Sequence, residues 1–401
     1  MGNAQGQGSQ DECEDCADPW VSQMRVAFVS VHDAEDSKQW SGIPYFILRE
    51  MRLKGIDVEV IAPQRSPYRH LYVPERILAK AMGSSIQIDR RSSALRYYAK
   101  QISRRLDESQ FDAVFSPSSI PISLLDVNVP IFYWTDAVIE GMLGYYGGSF
   151  AKMSPRERRI AHDQEQCALD RATGAIFASS WAADIAKDAY RVFSEKVKVI
   201  EFGANLSVDH DAEQIAAWNE KRLAQDCVLL FIGVDWNRKG GTLAFEATRL
   251  LNERGIKAVL KVVGCDAPDA PFVERLGFIS KGTAEGQHRI EQLLATSTFF
   301  VMPTRAEAAG IVFCESAAFG LPVVTTSTGG VESYVKHAET GYCLPMTASG
   351  SEYADVIAET LADPDTYRRL SKAGFERYKT TLNWGAGVSS LMHLMEQAIG
   401  R

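Results

Sequence analysis

The sequence predicts an α/β protein made of two doubly wound, mostly parallel sheets. Three observations predict it. Short runs that are almost wholly apolar recur along the chain, as expected of strands covered by helices on both faces. Helical stretches separate the runs, which is the βαβ pattern of a parallel sheet. The pattern lapses after about residue 203 and restarts at Cys227, in a chain of 401 residues that is long enough for two cores.

The first run is "MRVAFVSV", Met24 to Val31. A helix follows, with Ser41 as a cap, Gly42 at a close turn, Pro44 in the first turn, an apolar face of Ile43, Phe46, Ile47 and Met51, and Gly55 as its stop. "DVEVIAP", "FDAVFSP", "VPIFYWT", "GAIFASS" and "KVKVIEF" continue the first sheet. "FGANLSVDHDAEQ" breaks the periodicity and reads as the linker. "CVLLFIGV", "AVLKVVG", "STFFVMP" and "LPVVTT" then build the second sheet. The helical end of the chain has no strand left to pair with and is expected to cross back onto the first unit. The expected division is an acidic, disordered tail over 1–22, a first domain over 23–204, a second over 205–380, and a crossing segment over 381–401.

Composition narrows the function classes. With 46% hydrophobic and 23% charged residues the chain is an ordinary globular protein, and its net charge of -8 argues against a general nucleic-acid binder. Seven cysteines, an odd number scattered through core segments, suit free thiols in a reducing compartment. Cys13 and Cys16 form a lone CxxC in the acidic tail, with no second pair to complete a metal site. "MGNAQGQG" has Gly6 where a myristoylation signal requires Ser or Thr, and no apolar run is long enough to span a bilayer. A cytoplasmic protein is expected, with peripheral contact at the inner membrane face. That contact is expected from Arg65 to Arg105, where ten basic residues face two acidic ones and apolar residues are interleaved. A solvated helix face with core aromatics behind it accounts for the same pattern.

Two features carry chemistry. "GVDWNRKGG", Gly233 to Gly241, lies between a strand and a helix and bears Arg238 and Lys239. Backbone N–H groups, a positive helix end and two cations at one place suit a phosphate, although a solvated basic loop has the same composition. The second feature is "RAEAAGIVFCESAAFG". Glu307 falls in the loop before a helix and Glu315 inside that helix, stopped by Gly320 with Pro322 beyond. Eight steps of roughly 100° set the two about 80° apart, so a shared helix face does not explain them. At the carboxyl end of a parallel strand, a carboxylate is stable if it accepts several hydrogen bonds, and vicinal sugar hydroxyls supply them in pairs. A capping Glu307 and a solvated Glu315 are the plain structural alternative.

With these motifs in order, the sequence resembles the retaining GT-B glycosyltransferases, specifically the large family 4 or glycosyl transferases group 1. The likeness rests on "EAAGIVFCE", similar to the family's E-x7-E motif, on "RKGG" after a Gly-ending strand, on "VVG" and "RLGFIS", and on "GLPVVTTSTGGVESYVKHAETGYCLP". It covers most of the second domain and the first more thinly, through "SGIPYFI" and "KGIDVEVIAP". It implies two Rossmann-like domains facing a central cleft that holds a nucleotide diphosphate sugar, UDP- or GDP-linked. Glu315 would bind ribose hydroxyls. Glu307 would face the donor sugar and steady charge at its anomeric carbon. Gly310, Ile311 and Val312 would offer backbone N–H groups, Lys239 and Arg238 would neutralise the departing diphosphate, and Gly42 would approach it. Gly277, Phe278 and Ile279 would line the base pocket, and Trp384 would mark the crossing back. No metal or other cofactor is implied, and the acceptor would be a hydroxyl of a glycan, glycolipid or small molecule.

Two positions depart from the pattern. Val234 stands where the family usually has an arginine, and Thr135 stands where it often has a histidine before an aspartate, here Asp136, which is expected to hold a sugar hydroxyl in catalysis. A GT-B epimerase or phosphorylase, or an inactive nucleotide-sugar-binding partner subunit, are the competing readings. A dehydrogenase is disfavoured because "VSVHDAEDSKQWSG" lacks a dinucleotide-binding glycine fingerprint.

Overall fold

The computed structural model describes residues 24–63, 67–206 and 208–400. The expected tail over 1–22, with Cys13 and Cys16, and Arg65 of the basic stretch lie outside the described residues. Six strands form the first sheet: β1 (Arg25–Val29), β2 (Asp57–Ile61), β3 (Ala113–Ser116), β4 (Ile131–Thr135), β5 (Gly174–Phe177) and β6 (Val197–Val199). Six form the second: β7 (Cys227–Ile232), β8 (Ala258–Val263), β9 (Val273–Gly277), β10 (Phe299–Met302), β11 (Val323–Thr326) and β12 (Gly341–Leu344). Their orders are β2-β1-β3-β4-β5-β6 and β12-β11-β10-β7-β8-β9, and every pairing is parallel. The central strands are buried throughout, which is why they read as continuous apolar runs. β9 and β12 are the two strands absent from the sequence reading.

Each sheet is covered on both faces. On β1, Val26 and Phe28 belong to one core, with Ile47, Phe115 and Trp134, while Ala27 and Val29 belong to the other, with Ile102, Tyr133 and Phe177. The first of these cores is continuous with that of the second domain. The bridge is the C-terminal helix Trp384–Ile399, whose Trp384 is buried against Phe202 and Trp134 and stacks on Phe46 at 6.3 Å. The indole N–H of Trp384 donates to Asn205 Oδ1 (2.9 Å), and the Asn205 amide donates to the Ser41 carbonyl.

One local expectation changes. Ser41 does not cap the helix Ile43–Leu53: its φ is 55°, and the cap position is taken by Gly42 at φ 81° with no side-chain hydrogen bond. Trp40, at φ 43°, precedes them, so three successive residues occupy the left-handed region on the way out of β1.

In the basic stretch part of the charge is paired with carboxylates. Arg69 pairs with Asp89, Arg90 with Glu165, Arg91 with Glu75 and Glu157, and Arg105 with Glu59 and Glu108. Leu95 and Tyr98 are core residues. What faces water is different: along the helix Val73–Ala81 and its flanks, Leu71, Ile77, Leu78 and Met82 are each at least 60% exposed, beside Arg76 and Lys80. Among the described residues Cys167, Cys227, Cys265, Cys314 and Cys343 are free thiols. No helix of the described residues is long and apolar enough to cross a membrane.

Candidate functional site

In the second sheet the chain leaves β7 toward β8 and β9 on one side, and β10 lies on the other. The crevice beyond the carboxyl ends of β7 and β10 is therefore the topological switch point, where open α/β sheets bind ligands. The loop after β7 carries Arg238 and Lys239, and the loop after β10 carries Glu307. A cavity of about 410 Å³ opens here, walled on the other side by Ser37, Lys38 and Ser41 from the loop after β1.

The turn Gly233–Gly240 owes its shape to a close approach. Gly240 has φ 76°, and a Cβ there would come within 1.9 Å of the Pro303 carbonyl oxygen. Only glycine lets the two loops touch, and that contact brings Lys239 to Glu307. Lys239 Nζ is ion-paired with the Glu307 carboxylate, and an Arg238 terminal nitrogen lies 4.0 Å from it. The same guanidinium donates to the Ala306 carbonyl (3.0 Å) and sits over the Tyr146 ring. One carboxylate with two cations leaves this cluster at formal charge +1.

The helix after this loop is Ile311–Ala318, with Gly310 as its cap residue. Gly310, Ile311 and Val312 line the cavity, so the N–H end of that helix faces it. Glu315 is on the same helix but fully buried, and both carboxylate oxygens accept from Lys281 Nζ at 2.5 Å. The helix is fixed at its far end by Arg222, a buried cation whose guanidinium donates to the carbonyls of Phe319 and Gly320, and to those of Leu294 and Ala295 at the end of another helix, Ala284–Thr296. The positive Arg222 thus meets the negative ends of two helices.

Of the residues singled out from the sequence, Lys239, Glu307, Gly310, Ile311, Val312, Phe278 and Ile279 line the cavity. Arg238 sits beside Lys239 on the loop after β7, its guanidinium donating to the Ala306 carbonyl of the Glu307 loop. Gly42 and Gly277 are set back from it: Gly42 is buried in the helix cap while its neighbour Ser41 is at the wall, and Gly277 turns the chain at φ 67° so that Phe278 is. Val234 is on the cavity wall and 69% exposed, with Arg238 directed elsewhere, to Ala306.

Asp136 follows β4 in the first domain, and the Thr135 hydroxyl donates to it. Its carboxyl is pushed from 3.8 up to about 6, chiefly by burial and then by the charge of Glu307, against the lowering effect of its own N–H, that of Ala137 and the Thr135 hydroxyl. Folding thus disfavours the ionised form, a cost absent below the ordinary value and complete above the shifted one. Asp136→Asn removes it. Thermal unfolding is expected to show the variant more stable than the wild type above about pH 6, with the two converging below about pH 4. A difference independent of pH would contradict this account of Asp136.

Four participants were not singled out in the sequence as site residues. Tyr145 and Tyr146, in the first-domain loop after β4, reach across to the Glu307 loop. The Glu307 N–H donates to the Tyr145 hydroxyl and the Ala308 N–H to the Tyr146 hydroxyl, each at 2.9 Å. Lys281 and Asn205 both line the cavity. "GYYGG" and "ISKGT" carry no local pattern that announces these contacts, which arise only when the domains and loops assemble. Among the described residues no three His, Cys, Asp or Glu side chains converge as a metal site.

Two parallel six-stranded sheets, with strand-end loops meeting over one cleft and the last helix returned to the first domain, define the GT-B class of fold. Residues 214–377 match the family Glycosyl transferases group 1. Sucrose-phosphate synthase from Thermosynechococcus elongatus superposes with a TM-score of 0.67 at 17% identity, over 94% of this chain and all of that one. HepE from Anabaena, solved in complex with UDP-glucose, superposes with a TM-score of 0.58 at 17% identity, over 93% of this chain and 100% of its own. At these identities the likeness is one of fold. In sequence, a D-inositol 3-phosphate glycosyltransferase from Thermobispora bispora is 27% identical over 230 residues, 53% of each chain. The chain spans about half the length of the curated relatives it matches.

Proposed function

We propose that this protein is a retaining glycosyltransferase that moves a hexose from a UDP- or GDP-linked donor to a hydroxyl of a glycan, glycolipid or small-molecule acceptor. The observation that carries the reading is the cluster of Glu307, Lys239 and Arg238 at a switch point beside the N-terminus of the helix Ile311–Ala318. A diphosphate beside Lys239 and this helix end meets preorganised positive charge, the usual largest contribution to such catalysis. The ribose and base extend toward Glu315 and toward Phe278 and Ile279, and the hexose lies between Glu307 and Asp136. The acceptor hydroxyl attacks the anomeric carbon on the face from which the diphosphate leaves. The carbon–oxygen bond to phosphate breaks with its electron pair on the diphosphate, and a phosphate oxygen takes the acceptor's proton. Glu307 steadies positive charge on the sugar ring, and no step calls on a metal ion.

Thermal unfolding with UDP, GDP and their hexose conjugates tests the donor class. A ligand at about 100 times its Kd adds about 2.7 kcal/mol of stability, a shift easily read. One nucleotide family is expected to raise the Tm, and no shift with any of them would remove the donor reading.

We also propose that the first domain meets an anionic membrane surface through the helix Val73–Ala81. Four large apolar side chains at least 60% exposed, Leu71, Ile77, Leu78 and Met82, lie beside the exposed Arg76 and Lys80, a composition suited to the boundary of head groups and acyl chains. Binding to phosphatidylglycerol vesicles is expected to weaken with salt and to fall at least about tenfold in Ile77→Asp/Leu78→Asp. Equal binding by that variant would place the contact elsewhere.

A further inference from the structure

The loop that carries Glu307 is completed by the other domain. On its own side, the Gly330 N–H donates to the Glu307 carbonyl (2.9 Å) and the Arg238 guanidinium to the Ala306 carbonyl (3.0 Å). The N–H groups of Glu307 and Ala308 are left over. Among the described residues their acceptors are two hydroxyls of the first domain, Tyr145 and Tyr146, each at 2.9 Å. The Tyr145 O–H also donates to the Glu307 carbonyl (3.4 Å), and its oxygen lies 3.0 Å from the Thr328 hydroxyl. One phenol thus takes both backbone groups of Glu307.

The contact is shaped from both sides. In the second domain two successive glycines make room for it: a Cβ on Gly329 would stand 2.1 Å from the Tyr145 hydroxyl oxygen, and one on Gly330 1.9 Å from the Ala308 carbonyl oxygen. The rings are braced as well, Tyr145 against Trp181 at 5.0 Å and Tyr146 under the Arg238 guanidinium at 5.4 Å. A backbone N–H bonded to a braced ring has little freedom to rotate, and the side chain on that residue is aimed accordingly. The Glu307 carboxylate itself bonds neither tyrosine; its partners are Lys239 and Arg238.

We propose that Tyr145 and Tyr146 are positioning residues for sugar transfer: from the first domain they fix the Glu307–Ala308 backbone, and so hold the Glu307 carboxylate where the reacting sugar needs it. Both act through Glu307, and neither hydroxyl touches the substrate. This rests on the role given to Glu307 above, and the experiment separates the two. A reacting group misplaced by about 1 Å costs about a hundredfold in rate, whereas nucleotide binding does not depend on where the Glu307 carboxylate points.

Tyr145→Phe, Tyr146→Phe and the double variant remove the oxygens and keep the rings. Site-resolved amide exchange reads the contact itself: Tyr145→Phe is expected to speed exchange about tenfold or more, chiefly at Glu307, and Tyr146→Phe chiefly at Ala308. Nucleotide release from a panel of UDP- and GDP-linked hexoses, with water as the acceptor, reads the reaction. In the double variant kcat is expected to fall about tenfold or more, with the Kd for UDP and GDP within about threefold of the wild type. In a Glu307→Gln background the same two substitutions are expected to change kcat by less than about threefold, because the carboxylate they position is gone. Unchanged exchange at both amides, a smaller fall in kcat, a parallel loss of nucleotide affinity, or a full further loss in the Glu307→Gln background overturns the proposal and leaves the donor reading standing. A wild type that releases nucleotide from none of the panel overturns both.

Discussion

Glu307→Gln is expected to lower sugar transfer by about 10²–10³-fold while nucleotide binding stays equal or becomes tighter. The two effects separate because the loop's backbone is held independently of the carboxylate. The Gly330 N–H donates to the Glu307 carbonyl and the Glu307 N–H to Tyr145, each at 2.9 Å, and neither bond involves the side chain. Glutamine keeps the volume and removes the charge, so the positive charge growing on the sugar ring loses its nearest counter-ion. Lys239, which now shares its ammonium with Glu307, is then freed for the diphosphate. Single-turnover transfer assays, paired with nucleotide titration, make the measurement. Normal turnover in this variant would remove Glu307 from the reaction.

The second large effect concerns stability. Arg222→Met is expected to cost about 3–5 kcal/mol in denaturant unfolding, the range for breaking a buried charged network. Arg222 is 1% exposed, and its guanidinium serves the carbonyls of Leu294, Ala295, Phe319 and Gly320 together with the Asn219 side chain. Methionine fills much of the space and satisfies none of these acceptors, of which Gly320 and Asn219 have another side-chain donor within reach, the single Ser371 hydroxyl that they share. Two helix ends lose their compensating charge at once, one of them on the helix that carries Glu315. A loss below about 1 kcal/mol would mean that the carbonyls find other partners.

The fold was legible because strands buried on both faces have no choice but to be apolar, and glycine and proline mark where they end. β9 escaped notice for the converse reason: Val273–Gly277 is an edge strand reading VERLG, with its glutamate and arginine in water. β12 is four residues long and merges with the turn before it. In the site, Lys239 and Glu307 could be found because each lies next to a chain feature that local sequence encodes, a glycine turn or the start of a helix. Tyr145 and Lys281 could not, since each gains its role from a partner more than thirty residues away, Glu307 and Glu315. The pairing within the basic stretch was hidden for the same reason. Counting charges from Arg65 to Arg105 leaves out Glu59, Glu157 and Glu165, the distant carboxylates that pair with Arg105, Arg91 and Arg90.

The chain passes between the two domains twice, once at Phe202 to Leu206 and once at Leu382 to Trp384, and the two passages lie against each other. The Ala204 N–H donates to the Leu382 carbonyl (3.1 Å), and Asn205 holds the Trp384 indole. Two covalent tethers set side by side act as a single pivot: they resist sliding of one domain along the other and leave rotation as the soft direction. The hydroxyls of Tyr145 and Tyr146 accept from the Glu307 loop across the cleft, so such a rotation would have to break these bonds. A rotation that parted the domains at this cleft would therefore also free the backbone N–H groups of Glu307 and Ala308.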